Sequence, residues 1–418
     1  MVTLLLWCGV GAFQEGWGPE PTRQISGYVP VRNDSGEIFY WLFESRHDSD
    51  SAPLILWMTG GPGCSSELAI FYEQGPYRIN GQKIESNPFA WNDFAHMLFV
   101  DQPVGTGFSI ADDSRDYVSN EAEVAADMLE MLQGFFTKHP NYKNRDFYIT
   151  GESYAGHYVP AVGGRVFRAI RSNEFGFKLK FKGMAIGNGM VNPSIQFQSY
   201  ADYAFSKNLI GESLHDRLAK HDVPTCTEML ENQDRLARAY CENMVEDIQR
   251  HAGNFNIYDV RLPCSKPGLC YDFSPLDRLM ARFDVQSSLG IKPQASWTEC
   301  NMAVHHHLDS DWLLNCEQFL PEMLNAGIKL LVYAGKEDFI CNWYGNRDWV
   351  EAMPWNGQRA YNSHKMQPWV FKGRTVGEIK SEGVLTFLAI NNAGHMVPMD
   401  QPELALYMIK NFVQGRLE

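Results

Sequence analysis

The feature that most constrains this chain is a run of small residues that follows an apolar segment and holds a serine at its centre. The segment Phe147-Tyr-Ile-Thr150 has strand character, and Gly151-Glu-Ser-Tyr-Ala-Gly156 follows it directly. Small residues around a serine allow a sharp strand-to-helix turn that lifts the hydroxyl clear of a sheet. The strict pattern is G-x-S-x-G, and here Ala155 takes the place of the second glycine. The run predicts a nucleophile elbow at Ser153, but so short a pattern also occurs by chance and needs partners elsewhere.

A base and a carboxylate are the partners that a serine nucleophile requires. Asp338 follows the apolar run 329–335, and His395 follows the apolar run 384–390. Each residue taken alone also fits an ordinary loop position. Together they give the chain order Ser, Asp, His, each just past the C-terminal end of an apolar strand. That order and placement predict an α/β-hydrolase fold with Ser153, Asp338 and His395 as catalytic residues.

A glycine-rich turn after another apolar strand is a candidate source of oxyanion donors. The run 54–58 leads into Thr59-Gly-Gly-Pro-Gly-Cys-Ser-Ser66. Glycines let a backbone N–H approach developing negative charge closely. The second donor would be the N–H of Tyr154, the residue after the nucleophile. A plain Gly/Pro turn is the alternative, whereas a phosphate loop is disfavoured because no G-K-[ST] follows.

Three blocks of the sequence resemble the signature segments of the serine carboxypeptidases. They are Trp57-Met-Thr-Gly-Gly-Pro-Gly-Cys-Ser-Ser66, Gly151-Glu-Ser-Tyr-Ala-Gly-His-Tyr-Val-Pro160 and Gly394-His-Met-Val-Pro-Met-Asp-Gln-Pro402. Shorter blocks are similar to the same family, the last two to its carboxypeptidase Y branch: Asp101–Ser109, Gly187-Asn-Gly189, and Tyr333-Ala-Gly with Asp338–Trp343. The resemblance runs from about Ile25 to the C-terminus. It implies a central, mostly parallel sheet with an inserted cap region.

The resemblance also implies a carboxylate-binding site beside the serine. Glu152 would recognise the C-terminal carboxylate of a peptide, paired with Glu73 so that the two share a proton. The site would be completed by Trp57, Thr59 and Gly60. Thr59 stands where the family often has asparagine, so one hydrogen bond remains but the amide geometry is lost. Ordinary surface charge is the alternative for both glutamates.

The substrate pocket is likewise implied by the resemblance. The N–H groups of Gly61 and Tyr154 would hold the oxyanion. The residue before the scissile bond would meet Met190, Ile340, Cys341 and Tyr154. The C-terminal residue would meet Leu68, Tyr72, Tyr271 and Met396. These mostly apolar linings predict a preference for hydrophobic residues, and simple core packing is the alternative for each of them.

Cysteine content indicates an oxidising compartment. The chain has 9 cysteines but no C-x-x-C or H-E-x-x-H pattern, so a zinc site is disfavoured and no metal or cofactor is expected. The resemblance implies the disulfides Cys64–Cys300, Cys264–Cys270 and Cys226–Cys241. It also implies that Cys341 is an unpaired thiol near the substrate pocket, and it assigns no partner to Cys316.

Charge and local motifs limit the partners and the location of the protein. The formal net charge of −14 argues against a nucleic-acid partner. The apolar run 1–13 is too short to span a membrane, and no other run approaches that length. It reads as a signal-peptide core without a basic start, so we expect residues 1–20 to be a signal peptide or its remnant. Asn33 lies in the single N-x-[ST] sequon without proline, and a lysosomal, vacuolar or secreted protein is expected.

Changes of pattern along the chain divide it into a core and an insertion. Residues 22–190 and 317–418 alternate strand-like and helical segments, including a predicted helix over 120–136. Residues 191–316 are polar and cysteine-rich, with helical charge patterning around 228–250, and are predicted to form the cap. The run His305-His306-His307 is predicted to be a solvated turn, because consecutive residues cannot all face one metal ion.

The sequence therefore predicts a serine-type carboxypeptidase whose substrates are peptide and protein C-termini and which acts at acidic pH. One alternative is a carboxypeptidase-like acyltransferase, although such enzymes often carry aspartate where Glu152 stands. Another is a non-catalytic partner that stabilises other hydrolases, which the presence of Ser153, Asp338 and His395 together disfavours.

Overall fold

Apolar, β-branched and aromatic runs form the strands of this protein. The structure, a computed structural model, describes residues 16–232, 234–266 and 268–417. The strands are β1 Gln24–Val31, β2 Gly36–Phe43, β3 Leu54–Met58, β4 Tyr77–Asn80, β5 Lys83–Ser86, β6 His96–Asp101, β7 Ile110–Ala111, β8 Asp146–Glu152, β9 Lys180–Gly187, β10 Lys329–Gly335, β11 Gln367–Phe371, β12 Arg374–Glu382 and β13 Leu385–Ile390. Strands β4 and β5 form a separate hairpin, and the others form one 11-stranded sheet.

The centre of the sheet is parallel and its edges are antiparallel. The strand order is β1-β2-β6-β3-β8-β9-β10-β13-β12-β11, with β7 beside β2. Neighbours from β6 to β13 run parallel, whereas β1, β2, β7, β11 and β12 pair antiparallel. Because parallel strands end at the same edge, the loops that follow β3, β8, β10 and β13 meet there. The predicted central, mostly parallel sheet is confirmed.

Helices cover both faces of the sheet and build the insertion. They are α1 Glu67–Tyr72, α2 Glu121–Lys138, α3 Ala155–Arg171, α4 Pro193–Gln196, α5 Tyr200–Ser206, α6 Glu212–Arg217, α7 Val223–Glu231, α8 Ala237–Ala252, α9 Ser274–Met280, α10 Phe283–Leu289, α11 Met302–His307, α12 Leu320–Asn325, α13 Trp343–Ala352, α14 Gln358–Ser363, α15 Val397–Asp400 and α16 Pro402–Gln414. Short 3₁₀ or π turns lie at Trp91–Asp93, Ser114–Asp116, Pro140–Tyr142, Phe197–Ser199, Leu218–Asp222 and Cys316–Phe319.

Strand alternation divides the core into two layers. In β3, Leu54, Leu56 and Met58 face the layer that contains α2 and α3, whereas Ile55 and Trp57 face the layer that contains α1 and α16. All five side chains are fully buried. Such strands, apolar at every position, are typical of a sheet covered on both faces.

The predicted helix over 120–136 is confirmed, and it has a clear start signal. Helix α2 begins after Asn120, whose side-chain oxygen accepts a hydrogen bond from the N–H of Glu123 at 3.0 Å. Glu121 and Glu123 lie in the first turn and Lys138 in the last, which complements the helix dipole.

The helical pattern predicted around 228–250 corresponds to two helices, α7 and α8, with a turn between them in which the side chain of Asp234 accepts the N–H of Leu236 at 2.8 Å. The turn predicted at the histidine run, by contrast, is wrong. The histidine run 305–307 is helical rather than a turn. Asn301 caps α11 by accepting the N–H of Ala303 at 2.9 Å, and this local bond starts the helix.

The insertion between β9 and β10 has an apolar cluster of its own. Buried side chains from α5, α7 and α8 form this cluster together with Phe339 of the loop after β10.

Most of the expected leader at 1–20 lies outside the described residues. Asn33 is exposed in the β1–β2 turn with a positive φ of 54°. Within the described ranges, no helix is both long and apolar enough to cross a membrane.

Three disulfides tie the insertion together and to the core. The pairs are Cys64–Cys300, Cys226–Cys241 and Cys264–Cys270, the three expected from the sequence. The first joins the loop after β3 to the segment before α11. Cys316 and Cys341 are buried and have no disulfide partner among the described residues.

Removal of each disulfide by a paired Cys→Ala change should destabilise the protein in proportion to the loop that it closes. The separations are 236, 15 and 6 residues. A typical loss is about 2–5 kcal/mol, larger for longer loops. Denaturant unfolding of the three double variants should therefore rank the Cys64/Cys300 variant as the least stable and the Cys264/Cys270 variant as the most stable. The reverse ranking would contradict the expectation.

Candidate active site

The serine turn lies where β8 meets α3, and its backbone is strained. Ser153 has a φ of 66°, a region that serine rarely adopts. Backbone hydrogen bonds hold it there. The N–H of Ser153 donates to the carbonyl of Gly187 at 3.1 Å, and the carbonyl of Ser153 accepts from Gly156 at 2.9 Å and from Met190 at 3.0 Å.

Close packing explains why the small residues stand where they do. A Cβ on Gly151 would lie 2.6 Å from the Cβ of Ala155, and one on Gly156 would lie 2.4 Å from the carbonyl oxygen of Met190. A Cβ on Gly60 would lie 2.5 Å from the N atom of Tyr154. Glycine is therefore required at 156 rather than at 155, which accounts for the displaced second glycine of the pattern.

Asp338 and His395 form a buried pair at the same sheet edge. The ring Nδ1 of His395 lies 2.8 Å from Oδ2 of Asp338. Because an ionised carboxylate can only accept, Nδ1 carries the proton and Nε2 is left as an acceptor. Nε2 has no protein hydrogen-bond partner within the described residues. The backbone N–H of His395 donates to the carbonyl of Tyr258 at 2.7 Å, which fixes the loop.

Four donors surround the Asp338 carboxylate. Besides His395, the side-chain amide of Asn188 donates at 2.8 Å, and the N–H groups of Ile340 and Cys341 donate at 3.0 and 3.3 Å. Asn188 in turn accepts the N–H of Gly335 at 3.0 Å. Sequence reasoning noticed Asn188 only within a short motif and gave it no role, since nothing in the sequence shows that β9 and β10 are neighbours.

A cavity of about 470 Å³ opens at Ser153 and His395. Its lining also includes Thr59, Gly60, Gly61, Pro62, Glu73, Glu152, Leu68, Tyr271 and Met396, together with Cys64 and Cys300. Further lining residues come from the insertion or next to it and were missed by sequence reasoning: Tyr258, Gly268, Leu269, Phe273, Glu299, Met302 and His305. No spacing pattern links these residues to the serine turn, so the sequence carries no signal for them.

Two buried carboxyls line this cavity. Glu73 and Glu152 are 2% and 4% exposed, and each has a carboxyl oxygen without a protein partner in the described structure. Burial raises the pKa of Glu73 to about 7. The pKa of Glu152 is raised well above its usual range, first by burial and then by the charge of Glu73. At acidic pH at least one carboxyl is therefore protonated and able to donate a hydrogen bond.

Trp57 in β3 and Thr59 just after it differ in their surroundings. Thr59 and Gly60 line the cavity, whereas Trp57 is fully buried and is not part of the described lining. The indole N–H of Trp57 donates to the hydroxyl oxygen of Thr59 at 3.0 Å. Since the hydroxyl oxygen of Thr59 accepts this bond, its proton is left for another acceptor.

The predicted pocket residues are only partly brought together. Leu68, Tyr271 and Met396 line the cavity. Within the described residues, the lining does not include Tyr72, Met190, Ile340, Cys341 or Tyr154. The ring of Tyr154 is buried between two others, 4.5 Å from that of His157 and 5.4 Å from that of Trp312.

Cys341 lies beside the Asp338–His395 pair rather than in the open cavity. The Cys341 sulfur, a carboxylate oxygen of Asp338 and a ring nitrogen of His395 all lie within 4.8 Å of one another. Burial, followed by the charge of Asp338, raises the pKa of the Cys341 thiol well above its usual range. The thiol is therefore neutral and unreactive as a nucleophile.

Comparison with known proteins assigns the chain to a family. The family model described as serine carboxypeptidase matches residues 16–415. The chain belongs to the serine carboxypeptidase family. It is 44% identical to Serine carboxypeptidase-like 48 of Arabidopsis thaliana, over 97% of this chain and 81% of that protein. It is 36% identical to Carboxypeptidase Y homolog A of Leptosphaeria maculans, over 95% of this chain and 74% of that protein.

A solved structure supports the same assignment. The crystal structure of Kex1Δp, a prohormone-processing carboxypeptidase from Saccharomyces cerevisiae, is similar with a TM-score of 0.84 and 26% identity, covering 94% of this chain and 92% of that one. The predicted family, the α/β-hydrolase fold and the enzyme class are confirmed: the protein is a serine-type carboxypeptidase.

Replacement of Asn188 by Ala should lower kcat of this carboxypeptidase about 10- to 100-fold, the usual effect of losing a hydrogen bond to a charged group. KM should change little, because Asn188 is not part of the cavity lining. Asn192→Ala is a matched control, since Asn192 is also buried and donates to a carboxylate, Glu317, at 2.8 Å. Steady-state kinetics that show equal losses in both variants would mean that Asn188 acts through general stability alone.

Proposed function

We propose that this carboxypeptidase releases C-terminal residues from peptides and proteins through an acyl-enzyme formed on Ser153, with His395 as base and Asp338 as its orienting carboxylate. The observation that carries the proposal is the buried Asp338–His395 hydrogen bond of 2.8 Å at a cavity that Ser153 also lines. The Nε2 of His395, which has no hydrogen-bond partner within the described structure, and the strained φ of Ser153 support the same roles.

The chemistry follows from these positions. The Oγ of Ser153 attacks the last peptide carbonyl while Nε2 of His395 takes its proton. The backbone N–H groups of Gly61 and Tyr154 stabilise the oxyanion. His395 then gives the proton to the leaving amine, and the C-terminal residue departs. Water, activated by the same imidazole, hydrolyses the acyl-enzyme and restores Ser153.

The buried glutamates are proposed to select the substrate's terminal carboxylate. One protonated carboxyl of the Glu73–Glu152 pair donates a hydrogen bond to it, with further donors from Thr59 and the backbone of Gly60. Because Trp57 is buried, we assign it the role of orienting Thr59. An endopeptidase would gain nothing from two buried carboxyls beside its nucleophile, since burying them costs free energy. Their presence in the cavity lining therefore favours an exopeptidase that acts at acidic pH.

The insertion is proposed to act as a cap over the core. We divide the chain into the core 22–190 with 317–418 and the cap 191–316; the separate apolar cluster of the cap supports this division. Leu68, Tyr271, Phe273 and Met396 provide an apolar lining for the C-terminal residue, which favours hydrophobic side chains. Three disulfides and the exposed Asn33 support passage through the secretory pathway to a vacuole, a lysosome or the exterior, with glycosylation at Asn33.

Replacement of Ser153 by Ala should leave the fold intact and lower turnover by about four to six orders of magnitude. The loss follows because the hydroxyl of Tyr154, next to Ser153 in the turn, is buried and outside the described cavity lining, so it cannot accept the acyl group. A fluorophosphonate should label the wild-type protein at Ser153 alone. Labelling that survives the substitution would place the nucleophile elsewhere. Residual cellular function of the variant would instead favour a stabilising role toward other hydrolases.

The pH dependence of KM should report on the two glutamates. With a pKa of about 7, Glu73 keeps its proton below that pH and loses it above, so a free peptide carboxylate is held at acidic pH and repelled as pH rises. KM for a peptide with a free C-terminus should therefore rise through neutral pH, whereas the matched C-terminal amide should show a profile shifted toward neutral pH.

The same measurement on Glu152→Gln provides the control. The variant removes one ionisable group but keeps a hydrogen-bond donor, so the rise in KM for the free peptide should flatten. Superimposable profiles of kcat/KM for the acid and the amide would contradict the assignment of the glutamates to carboxylate binding. They would leave the roles of Ser153, Asp338 and His395 untouched.

A further inference from the structure

One ionisable group in the cavity takes no part in the reaction proposed above. Glu299 is half-buried and belongs to the cavity lining, in the segment that precedes α11. Within the described residues, its carboxyl makes no hydrogen bond and no ion pair of 4.0 Å or less. A half-buried carboxylate without a counter-charge is unfavourable, and a ligand that supplied one would relieve the cost.

The backbone of Glu299 is held firmly against the oxyanion loop. Its carbonyl accepts the N–H of Ser65 at 2.9 Å, and the N–H of Asn301 donates to the carbonyl of Gly63 at 2.8 Å. Between these two bonds lies the Cys64–Cys300 disulfide. Glu299 is therefore fixed relative to the reacting centre, which a residue that selects substrates requires.

The electrostatic neighbours of Glu299 place it on the side of the leaving residue. The charge of Glu299 contributes to raising the pKa values of Tyr72 and Tyr258, for which burial is the largest cause. The ring of Tyr72 lies 4.7 Å from that of Phe273, and the ring of Tyr258 lies 6.3 Å from that of Tyr271. Phe273 and Tyr271 are the apolar lining assigned above to the C-terminal residue.

The charges near Glu299 are mainly negative. Asp272 and Asp277 are close enough to affect its ionisation. Lys266 is the one cation in the described part of the chain that does so, and it forms an ion pair with Asp272 at 2.5 Å. This side of the cavity thus combines an apolar lining with an uncompensated acidic group. A side chain with an apolar stem and a cationic end matches both properties.

We propose that Glu299 is a specificity-determining residue that lets the cavity accept lysine or arginine as the C-terminal residue of a peptide, an inference that rests on the proposed function of the cavity. The stem of such a side chain packs against the aromatic lining. Its ammonium or guanidinium group pairs with the Glu299 carboxylate. The cavity then serves hydrophobic and basic C-termini alike.

The preference should depend on pH. Burial, with the charges of Asp277 and Asp272, raises the pKa of Glu299 to about 7, so its carboxyl is neutral at acidic pH and ionised above neutrality. Basic residues are therefore favoured increasingly as pH rises. Tyr72 and Tyr258 also interact electrostatically with Glu299, and the cavity lining further includes His305, His395 and the Glu73–Glu152 pair. The two tyrosines stay neutral, and burial lowers the pKa of His305, so that ring is neutral as well.

A pair of N-acylated dipeptides that differ only in the charged end provides the test. One ends in lysine and the other in norleucine, which has the same stem without the ammonium group. Ionisation of the Glu73–Glu152 pair with rising pH affects both substrates equally, so its effect cancels in the ratio of their kcat/KM values. In the wild-type protein this ratio should rise about five- to tenfold between pH 5 and pH 7.5, as expected for a charge-assisted contact.

Glu299→Gln is the decisive variant, because it keeps the shape and removes the charge. It should abolish the rise in the ratio while norleucine release stays within about twofold of wild type. Asp277→Asn is the matched control, because Asp277 is exposed and outside the described cavity lining. Its charge helps to raise the pKa of Glu299, so its removal should only move the rise in the ratio to lower pH. Glu299→Lys should instead favour C-terminal glutamate over glutamine.

Two results would overturn the proposal. An unchanged ratio in Glu299→Gln, with norleucine still released, would remove Glu299 from substrate selection and leave the proposed function intact. A Glu299→Lys variant without any gain for glutamate would do the same. If the wild-type protein released neither residue, the proposed function would fail, and the specificity assignment with it.

Discussion

The buried hydrogen bond between Asp338 and His395 is the interaction on which the organisation of this molecule depends. A carboxylate that is completely removed from water needs several donors to remain ionised, and the protein supplies four of them from three different elements. These donors come from the loop after β9, the loop after β10 and the loop after β13. The parallel pairing of β9, β10 and β13 is therefore what assembles the pair, since it brings the ends of these strands to one edge.

The serine turn is held at the same sheet edge, by the segment that follows β9. Ser153 is strained, and its backbone bonds go to Gly187 and Met190, which flank Asn188. Asn188 thus lies between the residues that support Ser153 and the carboxylate of Asp338, the proposed orienting group of His395. One segment, residues 187–190, both holds the strained backbone of Ser153 and donates a hydrogen bond to the buried carboxylate of Asp338. These two tasks account for the short motif of small and amide residues after β9.

Much of this arrangement is predictable from the sequence, because the signals lie in short, continuous stretches of it. Strands β3, β8, β10 and β13 are short apolar runs, and each is followed by a loop whose residue types indicate chemistry. Chain order then indicates the fold. The helix boundaries of the insertion are harder to predict from the sequence, because each depends on a single hydrogen bond: Asn301 caps the start of α11, and Asp234 forms the turn before α8. The contribution of Glu299 to the cavity depends on a disulfide across 236 residues and has no local signal.

The distance along the chain between Ser153 and His395 has a consequence for synthesis of the protein. β13, which precedes His395, pairs between β10 and β12 and is the last strand of the sheet in chain order. A growing chain therefore contains the serine turn long before the imidazole of His395 has been made. The proposed nucleophile stays without its base until the final strand has been made and inserted. With the proposed roles of Ser153 and His395, a chain that lacks its last strand is expected to be inactive.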